Sequence, residues 1–445
     1  MSQPPLITLK PEDLNTNEKR AKYTACIIGS GRDGIMHAVL FADSGYRVNC
    51  YDSDQTVLNN LAKGHTTTST TQTEVQLKKH IRTGQITPTD DIKKAVATSD
   101  IIVLTVPAKI DSKKKVDYST IENMCKKIGP NLKIGSLIII MKPLGIGLTQ
   151  TTIKDAIENS SGYKTEKDVA LAYSPCPSTP DDKRIVAATD KDTLDLATSI
   201  LQPLIKTPLI TTNNVKAAET AVLFTKQRND VNTALSNELA MLCEKTGLDY
   251  QEVAQLLTTN AYLQISENGK EDPYLLLNDA ENLGARLRVP AAARETNEQL
   301  CKHYANMIKD ALKACGKTER RARVTILGIT QEPNSHSHLK KLVNDTAQLL
   351  NRRGAKLTVY DPYTETEPTE TLPNYKKTLT EAIEGADCLV IFTAHDQFKH
   401  LGLARLKIAM RKTPAIIDFE GIIDPAKAEK EGFIYRGFGR GVWSK

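Results

Sequence analysis

The chain has 445 residues, of which 25% are charged and 40% are apolar, and its formal net charge is +6. This length allows two or three domains with their own cores, and the composition is that of an ordinary soluble protein. The N-terminus does not show the apolar pattern of a signal peptide, no apolar run approaches the roughly 18 residues of a membrane span, and no basic block is interleaved with aromatic residues. We therefore expect a cytoplasmic protein that attracts anionic small molecules, with no nucleic-acid or membrane partner.

The first 20 residues are polar and contain two adjacent prolines, which predicts a flexible tail over residues 1–20. Eight cysteines are scattered without a C-x-x-C spacing, and this indicates free thiols in a reducing compartment. The nearest approach to a metal-ligand cluster is Glu332 with His336 and His338, for which an exposed turn is the better explanation. We therefore predict no metal site.

The segment from Tyr23 to Asp52 has the pattern of a strand, a glycine turn, a helix and a second strand. Its first apolar strand ends at Gly29, the turn reads G-x-G-x-x-G, and apolar residues then recur at helical spacing. Asp52 ends the second strand about 20 residues further on, as in dinucleotide-binding βαβ units. The pattern predicts a Rossmann-type unit that binds NAD.

We expect each part of this turn to have a separate task. Glycines allow the tight turn, the approach of a pyrophosphate and close helix packing, while the helix N-terminus attracts phosphate. Asp52 would accept hydrogen bonds from the adenosine ribose and favour NAD over NADP, whereas Arg32 could meet a 2′-phosphate or the pyrophosphate. A turn without a ligand is the alternative. The predicted cofactor-binding residues are Gly29, Ser30, Gly31, Arg32, Asp33, Gly34, Asp52, Val106 and Pro107.

Further strands follow in chain order. Apolar runs over residues 101–106 and 137–141 are typical of a parallel sheet buried on both faces. Ligands of such sheets bind at the carboxyl ends of the strands, so Val106–Lys109 and Met141–Thr149 should line the cofactor crevice. Another strand, Val169–Tyr173, leads into a turn at the same edge.

The middle of the chain is helical, and a second α/β unit without a glycine fingerprint starts near Arg323. A long apolar stripe between Asn214 and Leu257 predicts a helix shared by two subunits. The expected fold is α/β, with two Rossmann-like doubly wound parallel-sheet domains joined by a central helical dimerisation region. The predicted divisions are a tail (1–20), an NAD-binding domain (21–213), a helical domain (214–315) and a C-terminal domain (320–445).

These motifs, in this order, resemble those of the UDP-glucose/GDP-mannose 6-dehydrogenase family over nearly the whole chain from Tyr23. The matching segments are GSGRDG (29–34), Asp52, Val106-Pro107, Glu219, Asn237-Glu238, Gly247-Leu248-Asp249, Asp272-Pro273-Tyr274-Leu275, Ala293-Arg294-Glu295-Thr296-Asn297, Tyr360-Asp361-Pro362-Tyr363 and Tyr435–Gly441. The resemblance implies an NAD-dependent oxidoreductase acting on a UDP- or GDP-linked sugar. It also implies a homodimer through the central helices and a nucleotide-sugar site in the C-terminal domain.

The chain departs from that family at its catalytic positions. Family members oxidise the sugar C6 alcohol to a carboxylate with two NAD, through a cysteine that holds a thiohemiacetal and then a thioester. The resemblance places Asn268 near the cysteine position, Val222 at a helix lysine and Lys226 at an asparagine. Cys176 stands where a glutamate follows Ser-Pro. A lysine, an aspartate and an arginine of the C-terminal domain fall near Glu332, Ser337 and Leu339.

Two residues are possible replacements. Lys226 lies one helical turn from Val222 and could polarise an alcohol or a carbonyl, although an exposed lysine is the simpler explanation. Cys176 could supply a thiol, but no neighbouring histidine is visible in the sequence to lower its pKa. The candidate catalytic residues are therefore Lys226 and Asn268.

The predicted function is an NAD-dependent nucleotide-sugar dehydrogenase whose four-electron oxidation is altered or lost. One alternative is a non-catalytic, NAD-binding regulatory partner of a genuine dehydrogenase, in other words a pseudoenzyme. Another is a two-electron hydroxyacid dehydrogenase of similar build, against which the complete second α/β unit counts.

Overall fold

The computed structural model describes residues 4–66, 71–111, 113–177, 183–205, 207–256, 273–336, 339–364, 372, 374–411 and 413–440. The chain forms two compact units. The first contains Met1–Gln227 and Glu271–Leu287, and the second contains Arg228–Lys270 and Arg288–Lys445.

The first unit is built on an eight-stranded sheet and a small hairpin. The strands are β1 (Thr24–Ile28), β2 (Arg47–Tyr51), β3 (Ile86–Thr89), β4 (Ile101–Leu104), β5 (Lys109–Ile110), β6 (Val116–Asp117), β7 (Leu137–Ile140), β8 (Ala170–Tyr173), β9 (Arg184–Ala188) and β10 (Leu209–Thr212). The sheet order is β10-β9-β8-β7-β4-β1-β2-β3, and β5 pairs only with β6. Neighbours in the sheet are parallel except β8 and β9. All residues of β4 and β7 are buried, as their apolar sequences predict.

Helices cover this sheet. They are α1 (Asn17–Arg20), α2 (Arg32–Asp43), α3 (Gln55–Ala62), α4 (Thr71–Arg82), α5 (Ile92–Ala97), α6 (Ser119–Ile128), α7 (Lys154–Ser161) and α8 (Lys191–Leu201). Aspartate side chains accept backbone N–H groups at the starts of α3, α5 and α8, because the first amides of a helix have no partner within it.

The sequence predicts a flexible tail over residues 1–20, whereas in the structure residues 4–20 pack onto the first unit. Two 3₁₀ turns precede α1, and they bury Leu6 and Leu14 in the core. The Arg20 guanidinium donates to the carbonyl oxygens of Leu14 and Ser44 and to Asn17 Oδ1, each over 2.6 Å. Two isolated leucines in a polar sequence gave no periodic signal for this docking.

The middle of the chain is helical, as predicted. Its helices are α9 (Val215–Thr246), α10 (Tyr250–Leu256), α11 (Pro273–Asn282) and α12 (Arg288–Ala314). Within the second unit, Arg294 on α12 donates to the buried Asp230 on α9 over 2.8 Å. The boundary between the units falls inside α9, after Gln227. The predicted division at residue 213 stays a prediction.

The second unit contains a five-stranded parallel sheet. Its strands are β11 (Arg323–Leu327), β12 (Lys356–Tyr360), β13 (Cys388–Ile391), β14 (Ala415–Asp418) and β15 (Ile434–Gly437), in the order β12-β11-β13-β14-β15. Its remaining helices are α13 (Lys341–Arg352), α14 (Leu379–Ile383), α15 (Asp396–Lys399), α16 (Leu403–Ala409) and α17 (Pro425–Lys430). The two sheets, which are parallel except between β8 and β9, and the long helices confirm the predicted α/β fold class.

Among the described residues there is neither a candidate membrane span nor a candidate metal-ligand cluster. No helix among them is long and apolar enough to cross a membrane. No group of three or more histidine, cysteine, aspartate or glutamate side chains in the same part of the chain is placed to hold a metal ion.

Candidate cofactor site

The glycine turn lies between β1 and α2, at the carboxyl edge of the first sheet. Gly29 has φ +100°, a conformation that L side chains rarely adopt. A Cβ on Gly34 would lie 1.8 Å from the carbonyl oxygen of Gly29, whereas a Cβ on Gly31 would meet nothing within 4 Å. Gly34 therefore lets α2 pack on β1, and Gly31 leaves open space at the helix N-terminus.

Asp52 is held towards this turn from the end of β2. Its Oδ2 accepts the Ser30 N–H over 2.7 Å, and its Oδ1 accepts the Asp54 N–H over 3.0 Å. These two hydrogen bonds fix the position of the carboxylate. The side chain is half-buried, so part of it faces solvent. A carboxylate in this position can accept ribose hydroxyl groups.

The loop after β4 borders the turn on the other side. The Thr105 hydroxyl donates to the carbonyl oxygens of Ile28 and Gly29 over 2.9 and 2.8 Å. Val106 is half-buried and Pro107 is exposed. Thr105 was missed by sequence reasoning because a threonine at the end of an apolar strand has no distinctive pattern.

Arg32 and Asp33 begin α2. Arg32 is exposed, whereas Asp33 is half-buried and forms an ion pair with Lys142, two residues beyond β7. Lys142 lies in the segment that the sequence assigns to the crevice, but its partner could not be foreseen because 109 residues separate the two.

His37 lies beneath this pair, fully buried on α2. Its Nδ1 lies 2.6 Å from the Asp33 carbonyl oxygen and must donate to it, so Nε2 accepts from Arg184 over 2.9 Å. Burial, aided by the charge of Arg184, lowers the pKa of His37 to about 3. The imidazole is therefore neutral, with both nitrogens engaged.

The sequence shows no histidine near Cys176, but in the structure Cys176 Sγ lies 3.8 Å from Nε2 of His37. The two residues are 139 positions apart in the chain, which is why the sequence did not reveal the contact. His37 has no nitrogen left to take a proton from the thiol. Burial raises the pKa of Cys176, and the charge of Arg184 offsets this only in part. The structure thus describes a protonated thiol rather than an activated nucleophile.

Lys226 and Val222 lie on α9 in the first unit. Lys226 is half-buried, and its charge acts on the Cys176 thiol, lowering the pKa of that group against the larger effect of burial. Val222 packs against the apolar core. Asn268 lies outside the described residues, so its predicted place near the family's cysteine position rests on sequence alone.

A second loop of the crevice, Gly145–Thr149, is held by two carboxylates from later helices. Glu219 on α9 is buried and accepts the N–H groups of Gly147 and Thr149 over 2.5 and 2.9 Å. Asp279 on α11 accepts the Ile146 N–H over 2.7 Å. Burial raises the pKa of Glu219 despite these bonds. Neither carboxylate was given this task by sequence reasoning.

These residues fit a dinucleotide. The first turn of a 12-residue helix faces the open space at Gly31, and Asp52 is oriented beside it. The Ser30 hydroxyl is buried and has no hydrogen-bond partner in the part of the chain that the structure describes. An orphaned hydroxyl in a glycine turn suits a phosphate oxygen.

The second unit repeats the hydrogen-bonded framework of this turn around Gly328. The Gly328 N–H donates to the Tyr360 carbonyl oxygen as Gly29 does to Tyr51, over 3.0 and 2.9 Å. Asp361 accepts the N–H groups of Ile329 and Tyr363, each over 2.7 to 2.8 Å. However, Asp361 is only 2% exposed, and His395 Nε2 lies 3.2 Å from its Oδ2. This carboxylate fastens the turn but is closed to a ribose.

Comparisons with known proteins agree with this arrangement. Three models of the UDP-glucose/GDP-mannose dehydrogenase family match in chain order: the NAD binding domain at residues 23–187, the central domain at 216–299 and the UDP binding domain at 325–425. The three matches leave out little more than the termini and the connecting segments.

Individual relatives match over most of their lengths. The UDP-N-acetyl-D-mannosamine dehydrogenase of Pyrococcus horikoshii is 26% identical over 93% of this chain and 99% of its own. The UDP-glucose 6-dehydrogenase TuaD of Bacillus subtilis is 25% identical over 93% and 92%. A solved structure of the P. horikoshii UDP-D-ManNAc dehydrogenase superposes with a TM-score of 0.81, at 25% identity, over 94% of this chain and 100% of that one. The chain therefore belongs to the UDP-glucose/GDP-mannose dehydrogenase family.

Proposed function

We propose that this chain is an NAD-dependent oxidoreductase acting on a CH–OH group of a UDP- or GDP-linked sugar, with the four-electron oxidation altered or lost. The observation that carries the proposal is the first-unit crevice, where an open glycine turn faces an oriented Asp52. The matches to NAD-binding and UDP-binding family domains support the two ligands.

NAD rather than NADP is the proposed cofactor. A 2′-phosphate would bring negative charge next to the Asp52 carboxylate, which is already fixed by two backbone N–H groups. The residues that would hold NAD are the 29–34 turn, Asp52 and the loop at Val106 and Pro107. When bound, NAD would act as the acceptor of a hydride, that is, of two electrons and one proton.

The alteration of the second oxidation is argued from three positions. Passing a second hydride requires the aldehyde to be held as a covalent adduct or hydrate. Asn268, at the family's cysteine position by sequence, has no nucleophile. Val222 is half-buried and packs against the apolar core. Cys176 is a half-buried thiol, and both nitrogens of the neighbouring His37 are already engaged in hydrogen bonds. Lys226 on α9 is the residue proposed to act on an alcohol or a carbonyl.

Turnover of nucleotide sugars tests the proposal. Purified protein is incubated with NAD and a panel of UDP- and GDP-sugars, and the NADH formed per sugar consumed is measured. One NADH per sugar supports a two-electron reaction. Two per sugar would show that the thioester step, or an equivalent of it, is intact. NAD binding without turnover on any sugar would favour a regulatory partner, and absence of NAD binding would overturn the cofactor assignment.

We also propose a homodimer formed through α9. Leu235 and Leu242 are seven residues apart on this helix, and their exposed fractions are 47% and 54%. Residues at this spacing share one face of a helix, and large apolar side chains on one exposed face indicate an interaction surface. A second copy of the chain is the proposed partner.

A further inference from the structure

Asp33 brings a negative charge to the end of α2 where a pyrophosphate should bind. It is the acidic residue of the first turn of this helix. A carboxylate there stabilises a helix, because the unpaired N–H groups and the dipole favour an anion. The same groups attract the phosphates of a dinucleotide. A lone Asp33 carboxylate would therefore repel the ligand that the glycine turn is shaped for.

Lys142 meets this charge from another strand. Its ammonium group is paired with Asp33 Oδ2, and the exposed fractions of the two side chains are 23% and 29%. Lys142 follows β7, Asp33 follows β1, and β4 lies between those strands. The pair consequently spans the carboxyl end of β4. The strand order reverses between β1 and β4, which makes this crevice a topological switch point. Dinucleotides bind at such a point.

The charges of Asp33 and Lys142 both affect the pKa values of the neighbouring His37 and Cys176. Asp33 raises the pKa of the buried His37 and Lys142 lowers it, although burial and Arg184 have larger effects. The same two residues act with opposite signs on the Cys176 thiol. The charges thus lie close enough together to offset each other in the interior of the crevice.

We propose that Lys142, outside the glycine fingerprint, supports cofactor binding by neutralising Asp33, so that the crevice can accept the pyrophosphate of a dinucleotide. This inference rests on the proposed binding of NAD. It adds a residue that neither the G-x-G-x-x-G pattern nor the comparisons assign. It also predicts that the requirement for Lys142 disappears when Asp33 carries no charge.

Calorimetry of the full-length protein with NAD tests this dependence. We expect Lys142→Met to weaken NAD binding roughly tenfold at low salt, with a smaller loss at high salt because the repulsion is screened. Lys142→Arg should stay within about threefold of the original affinity because the charge is kept. The double variant Asp33→Asn with Lys142→Met should recover most of the loss, since the two changes are coupled.

Asp33→Asn alone supplies a second, independent measurement. With Lys142 left in place, removing the carboxylate should tighten NAD binding severalfold, on the order of the Lys142→Met effect with the opposite sign. The matched control is Lys133→Met. Lys133 pairs with Asp100 over 3.1 Å at the amino end of β4, on the opposite edge of the sheet, and its loss should leave NAD affinity unchanged.

Three results would overturn the inference while leaving NAD binding intact. These are unchanged affinity in Lys142→Met, no recovery in the double variant, or weaker binding in Asp33→Asn. Absence of binding by the unmodified chain would instead overturn the proposed cofactor together with this inference. Recovery in the double variant also excludes misfolding as the cause of the loss, because the recovered protein carries the same Lys142 substitution.

Discussion

Gly31 and Gly34 belong to the same turn, but they lack side chains for different reasons. We expect Gly34→Ala to destabilise the fold by about 1–3 kcal/mol and to weaken NAD binding, because its Cβ would lie 1.8 Å from the Gly29 carbonyl oxygen. Gly31→Ala should leave the free energy of unfolding within about 0.5 kcal/mol and weaken only NAD binding. Urea unfolding and calorimetry on both variants separate the two effects. Equal losses of stability in both would contradict this assignment.

His37 gives the protein a pH dependence. An unfolded histidine titrates near 6.5, whereas burial lowers the pKa of folded His37 to about 3. Between these values the unfolded chain binds more protons, so stability is present above pH 6.5 and falls as the pH falls. The slope from this group approaches about 1.4 kcal/mol per pH unit.

His37→Gln should flatten this dependence. A glutamine can still donate to the Asp33 carbonyl oxygen and accept from Arg184, but it does not titrate. The free energy of unfolding measured in urea at pH 7.5, 6.0 and 5.0 should therefore fall less in the variant than in the original chain. The exposed His400→Gln is the control. Parallel curves for all three proteins would refute the assignment.

For single residues, what the sequence could predict depends on how far apart the interacting residues are along the chain. The glycines and Asp52 lie within one βαβ unit, so spacing alone identified them. The pairs Asp33 with Lys142 and His37 with Cys176 are separated by 109 and 139 residues. Their meeting depends on strand order, which no local pattern contains. Whether the predicted residues bind NAD stays a prediction.

Among the elements, the loop Gly145–Thr149 depends most on distant helices. Glu219→Ala would leave the N–H groups of Gly147 and Thr149 without their acceptor, at a cost of about 2 kcal/mol or more. Because this loop borders the crevice, NAD affinity should fall too. Thermal unfolding and calorimetry are the measurements. Unchanged stability and unchanged NAD affinity in Glu219→Ala would refute the proposed role of Glu219.

The elements themselves were largely predictable. The buried strands β4 and β7 and the helices α9 to α12 follow from apolar runs and helical periodicity over long segments. The docking of residues 4–20 was not predictable, since it relies on two leucines and the three hydrogen bonds of Arg20. The antiparallel pairing of β9 was equally invisible, because strand direction is a tertiary property.

For the whole molecule, the proposed dimer makes a definite prediction. By sedimentation, the unmodified chain should have twice the mass of one 49.0 kDa subunit. Leu235→Glu combined with Leu242→Glu should shift it to the mass of one subunit, because charges on that face cannot be buried without partners. Ile408→Glu, at a single apolar residue that is 85% exposed, is the control. A dimeric double variant would contradict an interface on this face.

Asp361 shows that an acidic residue at this position does not by itself indicate a cofactor site. It stands at the end of the second strand in its unit, as Asp52 does in the first unit, and it also accepts backbone N–H groups. Unlike Asp52, it is buried. An acidic residue closing the second strand of such a fold therefore has an architectural reason to exist before any coenzyme arrives. An accessible carboxylate at this position can bind the ribose of a nucleotide, whereas a buried one only holds the turn in place.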